Sequence, residues 1–316
     1  MINSYIGYST NLKLREKSTS GGVGSSIIKY LFEEKIINTS ITFDFDATML
    51  QYTPKLIHSF NDYQPTGSIY HEIKLIQFIK DNVNQILGGF ACFVLPCQVR
   101  PISALLKKNN IPHILIGLTC SSQQNINATK YLLQRLNISS KDVIHIQYRG
   151  MGWPSGITIK LKNSKEVFVP NNNSIWTDIF HSKLFIEDRC FYCQNTLNKD
   201  SDISLADPWL PDIIGKETIG QTLVMTNSIQ GQNIIEKMAN NNRIIINPIA
   251  ESLILKSQQF TIKRKEAFHK RKKFIKKIRL LYKSKLYQSL ILRFNCMFNI
   301  HLKIKNRIEK LINSTK

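Results

Sequence analysis

The run FACFVLPCQVRPISALLKK, Phe90–Lys108, decides how the chain is read. Phe90 to Leu95 is short and wholly apolar, Pro96 turns the chain, and a helix follows over about Val99–Lys108. A short apolar run bounded by a turn is the pattern of a strand covered on both faces, as in a parallel sheet. The pattern recurs downstream, with a strand over Ile111–Leu118 and a helix over Asn127–Leu136. Upstream, SGGVGSSIIKYLFEEKI from Ser20 is a glycine turn opening a helix, with Ile27, Ile28, Leu31 and Phe32 at helical spacing; ITFDFD then alternates like a strand. An amphipathic helix carrying Ile73, Leu75, Ile76, Phe78 and Ile79 leads back to Phe90. Strands alternating with helices predict a largely parallel sheet with helices on its faces.

After Asp142 the texture changes. VIHIQYR, ITIKLKN and EVFVP are short alternating segments separated by Gly- and Asn-rich turns, which predicts antiparallel strands. A short helix is expected over Ser174–His181, a strand in DISLADPW, another in QTLVMT, and a helix over Ser228–Met238. The predicted fold class is α/β with α+β elements: a mixed, partly parallel sheet with flanking helices, an antiparallel insertion, and a basic helical C-terminal tail. The expected division is a domain over residues 1–251 and a tail over residues 252–316.

That tail holds most of the charge. The 316 residues carry 43 Lys and Arg against 22 Asp and Glu, a net of +21, yet 19 of the cations and only 2 of the acids lie between Ser252 and Lys316. The body is therefore only modestly basic. With 42% apolar residues the chain can bury a substantial core, which excludes wholesale disorder. No apolar run approaches the roughly 18 residues of a spanning helix, and the N-terminus lacks the basic-then-apolar order of a secretory signal, so a cytoplasmic location is expected.

Six cysteines are too sparse for a disulfide scaffold. Cys190 and Cys193 form a CxxC; Cys97 and Cys120 each follow a predicted buried strand, where open parallel sheets gather their ligands. Four thiolates make the complement of a [4Fe-4S] cluster or a structural zinc. The alternative is that Cys97 and Cys120 are small buried hydrophobes beside a partial zinc site or an unrelated pair. Cys92, inside FACFVL, is expected in the core. The SGG turn at Ser20, Gly21 and Gly22 precedes a helix, so its free N–H groups suit a phosphate, or else simply begin a helix. It matches neither of the common glycine-rich nucleotide loops, and no HExxH or GxSxG motif is present.

In chain order come STSGG at 18–22, GSIY at 67–70, LPCQ at 95–98, TCSSQ at 119–123, YRGMGW at 148–153, RCFYC at 189–193 and DISLADPW at 202–209. In content and order these segments resemble the coenzyme F420 hydrogenase and dehydrogenase beta-subunit family, which includes hydroxymethyl chlorophyll reductase. The resemblance spans about residues 5–240. It implies an iron–sulfur flavoprotein that passes electrons between a [4Fe-4S] cluster, FAD and an organic substrate or deazaflavin coenzyme. Carried over, Cys97, Cys120, Cys190 and Cys193 are the expected cluster ligands, and Ser20, Gly21 and Gly22 are expected near the flavin or its phosphates. Pro96 and Gln98 flank a ligand, and Arg149 and Trp153 are expected at the flavin or substrate, against a surface ion pair for the first and core packing for the second. The chain departs from the family pattern at Cys120-Ser121-Ser122, at Ala206-Asp207-Pro208-Trp209, and at Val94, where the family has glycine. It has no ferredoxin-like CxxCxxC run before the STSGG turn, so an external electron donor such as ferredoxin is expected. Relatives of this kind often resemble components of surface-polysaccharide pathways.

The competing function is a non-catalytic adaptor with a structural zinc CxxC and a docking tail. Lysines interspersed with Phe274, Ile275, Ile278 and Leu281 give an amphipathic basic pattern over residues 256–311, suited to an anionic membrane surface or an acidic partner, or to a neighbouring copy in an oligomer. Nucleic acid is the less favoured partner, and solvated helices in a lysine-rich chain are the plain alternative.

Overall fold

A computed structural model describes residues 1–314; the expected tail thus ends in two positions that lie outside the described residues. The elements run β1 (Asn3–Ser9), α1 (Leu12–Lys17), α2 (Val23–Glu33), β2 (Thr39–Asp46), β3 (Gln51–Ile57), α3 (Leu75–Asp81), β4 (Phe90–Val94), α4 (Val99–Lys108), β5 (His113–Leu118) and α5 (Asn127–Arg135). There follow β6 (Val143–Gln147), β7 (Gly156–Leu161), β8 (Glu166–Pro170), α6 (Ile175–His181), β9 (Ile203–Ala206), β10 (Thr222–Thr226), α7 (Ile229–Asn240) and β11 (Ile244–Pro248). The C-terminal helices are α8 (Glu251–Lys270), α9 (Lys272–Lys283), α10 (Lys285–Arg293) and α11 (Asn295–Ser314).

Eight strands form one mixed sheet in the order β11-β1-β10-β9-β5-β4-β2-β3. The central strands β2, β4, β5 and β9 run parallel, and both flanks are antiparallel. The apolar runs of β4 and β5 are explained by cover on both sides. Ala91, Ile114 and Ile116 meet α2 and α7 through Ile27, Leu31 and Ile235, whereas Phe90, Cys92, Val94 and Leu115 meet α3 and α4 through Ile79, Ile102 and Leu106. Cys92 is in the core, as expected. The second sheet, β6-β7-β8, is the antiparallel insertion.

Three strands lie outside the sequence expectation: β1, β3 and β11. The last two are the edges of the large sheet, where a strand needs no continuous apolar run; Pro54 sits within β3 because an edge tolerates a missing donor. Among the described residues the chain beyond 251 is helical, and no described helix is long and apolar enough to cross a membrane. These helices share a core with the small sheet and α5–α6. Phe268, Ile275, Tyr282, Ile291 and Phe298 are buried in one cluster with Tyr131, Ile146, Trp176 and Phe185. Phe298 packs at 5.2 Å from Tyr131, and His301 Nε2 lies 2.9 Å from the Ser182 carbonyl.

Because Phe298 is fully enclosed, Phe298→Ala is expected to lower the unfolding free energy of the chain by about 3–5 kcal/mol in urea melts. A loss under about 1 kcal/mol would mean that α11 does not share the core.

Candidate functional site

The carboxyl ends of the adjacent parallel strands β4, β5 and β9 point to one place. Ligands of open α/β sheets gather at such ends. After β4 comes Leu95–Gln98, after β5 comes Thr119–Gln123, and after β9 comes Asp207. A cavity of about 590 Å³ opens there, within the range of small-molecule sites. Its walls come from the STSGG turn and the start of α2, from Gly67–His71, from the strand ends, from α6, and from Ser257, Gln258, Phe260 and Thr261 of α8.

Arg149 organises this cavity. It is 2% exposed, yet it donates to the Asp207 carboxylate at 3.1 Å, to the Tyr70 hydroxyl at 3.3 Å and to the Thr19 carbonyl at 3.0 Å. Burial alone would lower the guanidinium's pKa, but the Asp207 carboxylate and Tyr70 raise it above the ordinary arginine value, so the charge is fixed. The ion pair that stood as the alternative for Arg149 is present, but buried and at the cavity wall. Arg149 Nε and Asp207 Oδ1 are buried without a partner in the protein. Gly67 is required here: at φ +69°, a Cβ would stand 2.3 Å from the Arg149 carbonyl oxygen.

The STSGG turn also fits closely. A Cβ on Gly21 would meet the Gly7 carbonyl at 2.6 Å, and Gly22, at φ +74°, is the N-cap of α2 with no side chain capping the helix. No side chain caps the first turn of α2, and Gly22, Gly24 and Ser25 line the cavity. A helix start without a side-chain cap attracts anions.

Beside the cavity lie four cysteines. Cys120 lines the large cavity; Cys97 and Cys193 line a smaller surface recess with Pro96, Arg100, His269 and Lys272. The four thiols act on one another. Burial pushes the Cys120 thiol up to about 12, with Lys265 opposing and Cys190, Cys97 and Cys193 adding to the rise. Burial likewise raises Cys190, against the Gln123 N–H, and raises Cys97, against the Arg189 charge. Donors already face two sulfurs: the Gln123 backbone nitrogen is 3.4 Å from Cys190 Sγ and Lys265 Nζ is 3.5 Å from Cys193 Sγ. Among the described residues no group of three or more His, Cys, Asp or Glu side chains stands at the spacing of one metal ion. Asn198, fully buried, fixes the strand ends that present Cys97 and Cys120 by donating to the Val94 and Leu118 carbonyls at 2.8 and 3.2 Å.

Of the expected site residues, Ser20, Gly22, Gln98, Arg149 and Cys120 line the large cavity. Gly21 sits behind the turn and donates to Thr222 Oγ1 at 2.8 Å, while Gln98 ties its side chain to the Leu95 N–H at 2.8 Å. Pro96 belongs to the recess. Trp153 is buried, lines neither space, and packs at 5.0 Å against Trp209 of the cavity wall, as its core-packing alternative has it. Sequence reasoning did not single out Tyr70, Gln123, Asn198, Asp207 or Lys265. Tyr70, Gln123 and Asp207 stood inside the quoted motifs, whereas nothing in the pattern marks Lys265 among the tail's cations.

Removing one partner of a buried ion pair strands the other charge. Asp207→Ala is expected to cost about 3–5 kcal/mol in urea melts, and adding Arg149→Met to recover part of it; a cost under about 1 kcal/mol for the single change would show that Arg149 does not depend on Asp207.

The N-terminal model of the coenzyme F420 hydrogenase/dehydrogenase beta-subunit family matches residues 4–80, and the C-terminal model of the same family matches residues 88–252. No curated protein matches the chain. A chain of the xenon-derivatised F420-reducing [NiFe] hydrogenase complex from Methanosarcina barkeri superposes with a TM-score of 0.65 at 17% identity, over 86% of this chain and 93% of that one. That likeness establishes a shared fold. The family matches cover more than half of the sequence, and the chain belongs to the coenzyme F420 hydrogenase/dehydrogenase beta-subunit family, a family of iron–sulfur oxidoreductase subunits.

Proposed function

We propose that this chain is a flavin-dependent iron–sulfur oxidoreductase subunit, with a [4Fe-4S] cluster on Cys97, Cys120, Cys190 and Cys193 and FAD in the large cavity. One observation carries the reading: four thiols from three separated segments share one neighbourhood, and one of them, Cys120, opens into a cavity of about 590 Å³. A cubane cluster is a larger body than a single ion, so thiols that act on one another without standing at single-ion spacing suit it better than they suit zinc. A bound cluster would exchange single electrons and a flavin one or two, acting on an organic substrate or a deazaflavin coenzyme.

The chain's own residues have separate tasks in this reading. The start of α2 offers N–H groups to a phosphate or pyrophosphate, and Arg149 and Asp207, each with an unpartnered buried atom, would orient a polar ring edge. Phe43, Phe93 and Trp209 supply apolar wall. His181, on the same wall, is held neutral, its pKa lowered to about 3 by burial and by Lys183, Lys305 and Arg264. Cys97 is exposed in a recess with Arg100, His269 and Lys272, which suits an acidic one-electron carrier such as a ferredoxin.

A cytoplasmic protein that rests on an anionic membrane is the accompanying proposal. Leu286 is 83% exposed and Leu290 49% exposed, one turn apart on α10; Ile300, Ile304 and Leu311 are exposed on α11 among the exposed cations Lys303, Arg307 and Lys310. Apolar side chains flanked by lysines suit a lipid surface, where each cation contributes about 1 kcal/mol.

Anaerobically purified protein is expected to be yellow-brown, with flavin bands, a broad visible shoulder, and iron and sulfide in the ratio of a [4Fe-4S] cluster. Cys193→Ser is expected to lose most of the iron and the shoulder while keeping the flavin bands. A colourless chain holding one zinc would overturn the reading in favour of the adaptor. In flotation assays the full chain is expected to rise with phosphatidylglycerol vesicles and not with phosphatidylcholine ones. Leu286→Glu with Leu290→Glu should cut the bound fraction several-fold, and an unchanged fraction would remove the membrane from the proposal.

A further inference from the structure

The family matches end at residue 252, where α8 begins. About four turns into that helix, Arg264 and Lys265 leave the surface. Lys265 is 3% exposed and Arg264 6%, in a segment whose other cations mostly face solvent. An ammonium carries three donors, and Lys265 Nζ has three acceptors: the Cys120 carbonyl at 2.9 Å, the Asn195 carbonyl at 2.6 Å and Cys193 Sγ at 3.5 Å. All three lie on the loops that present the cysteines. Arg264 donates to the Ser121 carbonyl at 2.8 Å and to its hydroxyl at 3.2 Å, and its Nη1 is buried with no partner. No carboxylate accepts from either residue in the described hydrogen bonds. Glu309 acts on Arg264 through its charge alone and is itself paired with Lys305 at 2.9 Å; the other groups that act on Arg264 are the thiols of Cys120, Cys190 and Cys193.

Burying an unpaired cation is expensive unless an anion is supplied. Four thiolates around a metal cluster are such an anion, and hydrogen bonds and charges around its sulfurs set its potential. We propose that Lys265 and Arg264 are positioning residues of the cysteine centre, which hold its negative charge inside the protein and raise the potential at which it takes up an electron. The inference rests on the cluster reading given above. Uptake of one electron from a one-electron carrier makes and breaks no bond and adds one unit of negative charge to the thiolate-bound centre. The ammonium on Cys193 and the guanidinium beside Cys120 offset that unit; without them the reduced state is the one that suffers.

The test is a redox titration of the full chain, followed by absorbance or electron paramagnetic resonance, with iron and sulfide measured on each sample. Lys265→Met, which keeps length and removes charge, is expected to shift the reduction equilibrium at least tenfold against the reduced state, about 59 mV more negative for a one-electron step. Lys265→Arg, keeping the charge, is expected to restore most of the shift, and the exposed Lys277→Gln to leave the potential at the wild-type value. A Lys265→Met protein with full iron content and the wild-type potential overturns the inference while leaving the cluster reading intact. A wild-type chain without iron and sulfide ends the cluster reading first. Should Lys265→Met fail to load a cluster, Arg264→Met, which touches no sulfur, decides by the same criterion: a negative shift supports the inference, an unchanged potential ends it.

Discussion

The Arg149 guanidinium is the constraint on which the cavity depends. Its donors reach the Thr19 carbonyl, the Tyr70 hydroxyl and the Asp207 carboxylate, so one side chain joins the turn before α2, the loop before α3 and the end of β9. These segments are separated by up to 188 positions in sequence, from Thr19 to Asp207, and no strand pairing links all three. A fixed charge with several hydrogen bonds specifies their relative position in a way that apolar packing, which tolerates sliding, does not. The strict need for Gly67 follows from it, since the Arg149 backbone passes where a Cβ would stand.

A second constraint acts on the other side of the strand ends. Asn198 bridges the carbonyls of Val94 and Leu118, the last residues of β4 and β5, and thereby spaces the loops that carry Cys97 and Cys120. Gly117 lets it in: a Cβ there would lie 2.7 Å from Asn198 Nδ2. Cys97 and Cys120 are thus set by strand register and one amide, whereas Cys190 and Cys193 come from the segment between α6 and β9.

How far the sequence could be read follows from these same facts. The central strands were legible because burial on both faces leaves an unbroken apolar run, as in Phe90–Val94, and the helices because one face is apolar at regular spacing. β3 and β11 were not, since an edge strand has solvent on one side and β3 carries a proline. Around the cavity, Cys97 and Cys120 were legible by residue type and position after strands, and Cys190 and Cys193 by their CxxC spacing. For Trp153 the sequence left cavity lining and core packing open, because a tryptophan in a glycine-rich loop reads alike in both; its packing against Trp209 is seen only in the structure. Asn198 and Gln123 act through backbone contacts to distant segments, and a single sequence carries no trace of those.

The charge of the C-terminal region divides along the same line. Most of its 19 Lys and Arg are exposed, where an isolated charge contributes little to stability, and composition alone describes them well. Arg264, Lys265 and Lys305 are buried, and there each charge demands a partner. Lys305 finds Glu309 at 2.9 Å. Lys265 and Arg264 find carbonyls, a hydroxyl and sulfur, groups that bear only partial negative charge while the cysteines are thiols. A buried ammonium satisfied in hydrogen bonds but not in charge is the expected state of a cation waiting for an anion, and the four cysteines are the groups beside it that can become one. The helices after residue 251 are therefore tied to the centre by electrostatics as well as by the core around Phe298. A chain cut at residue 251 would lose both the covering side chains and the only cations that reach Cys193 and Ser121 in the described contacts.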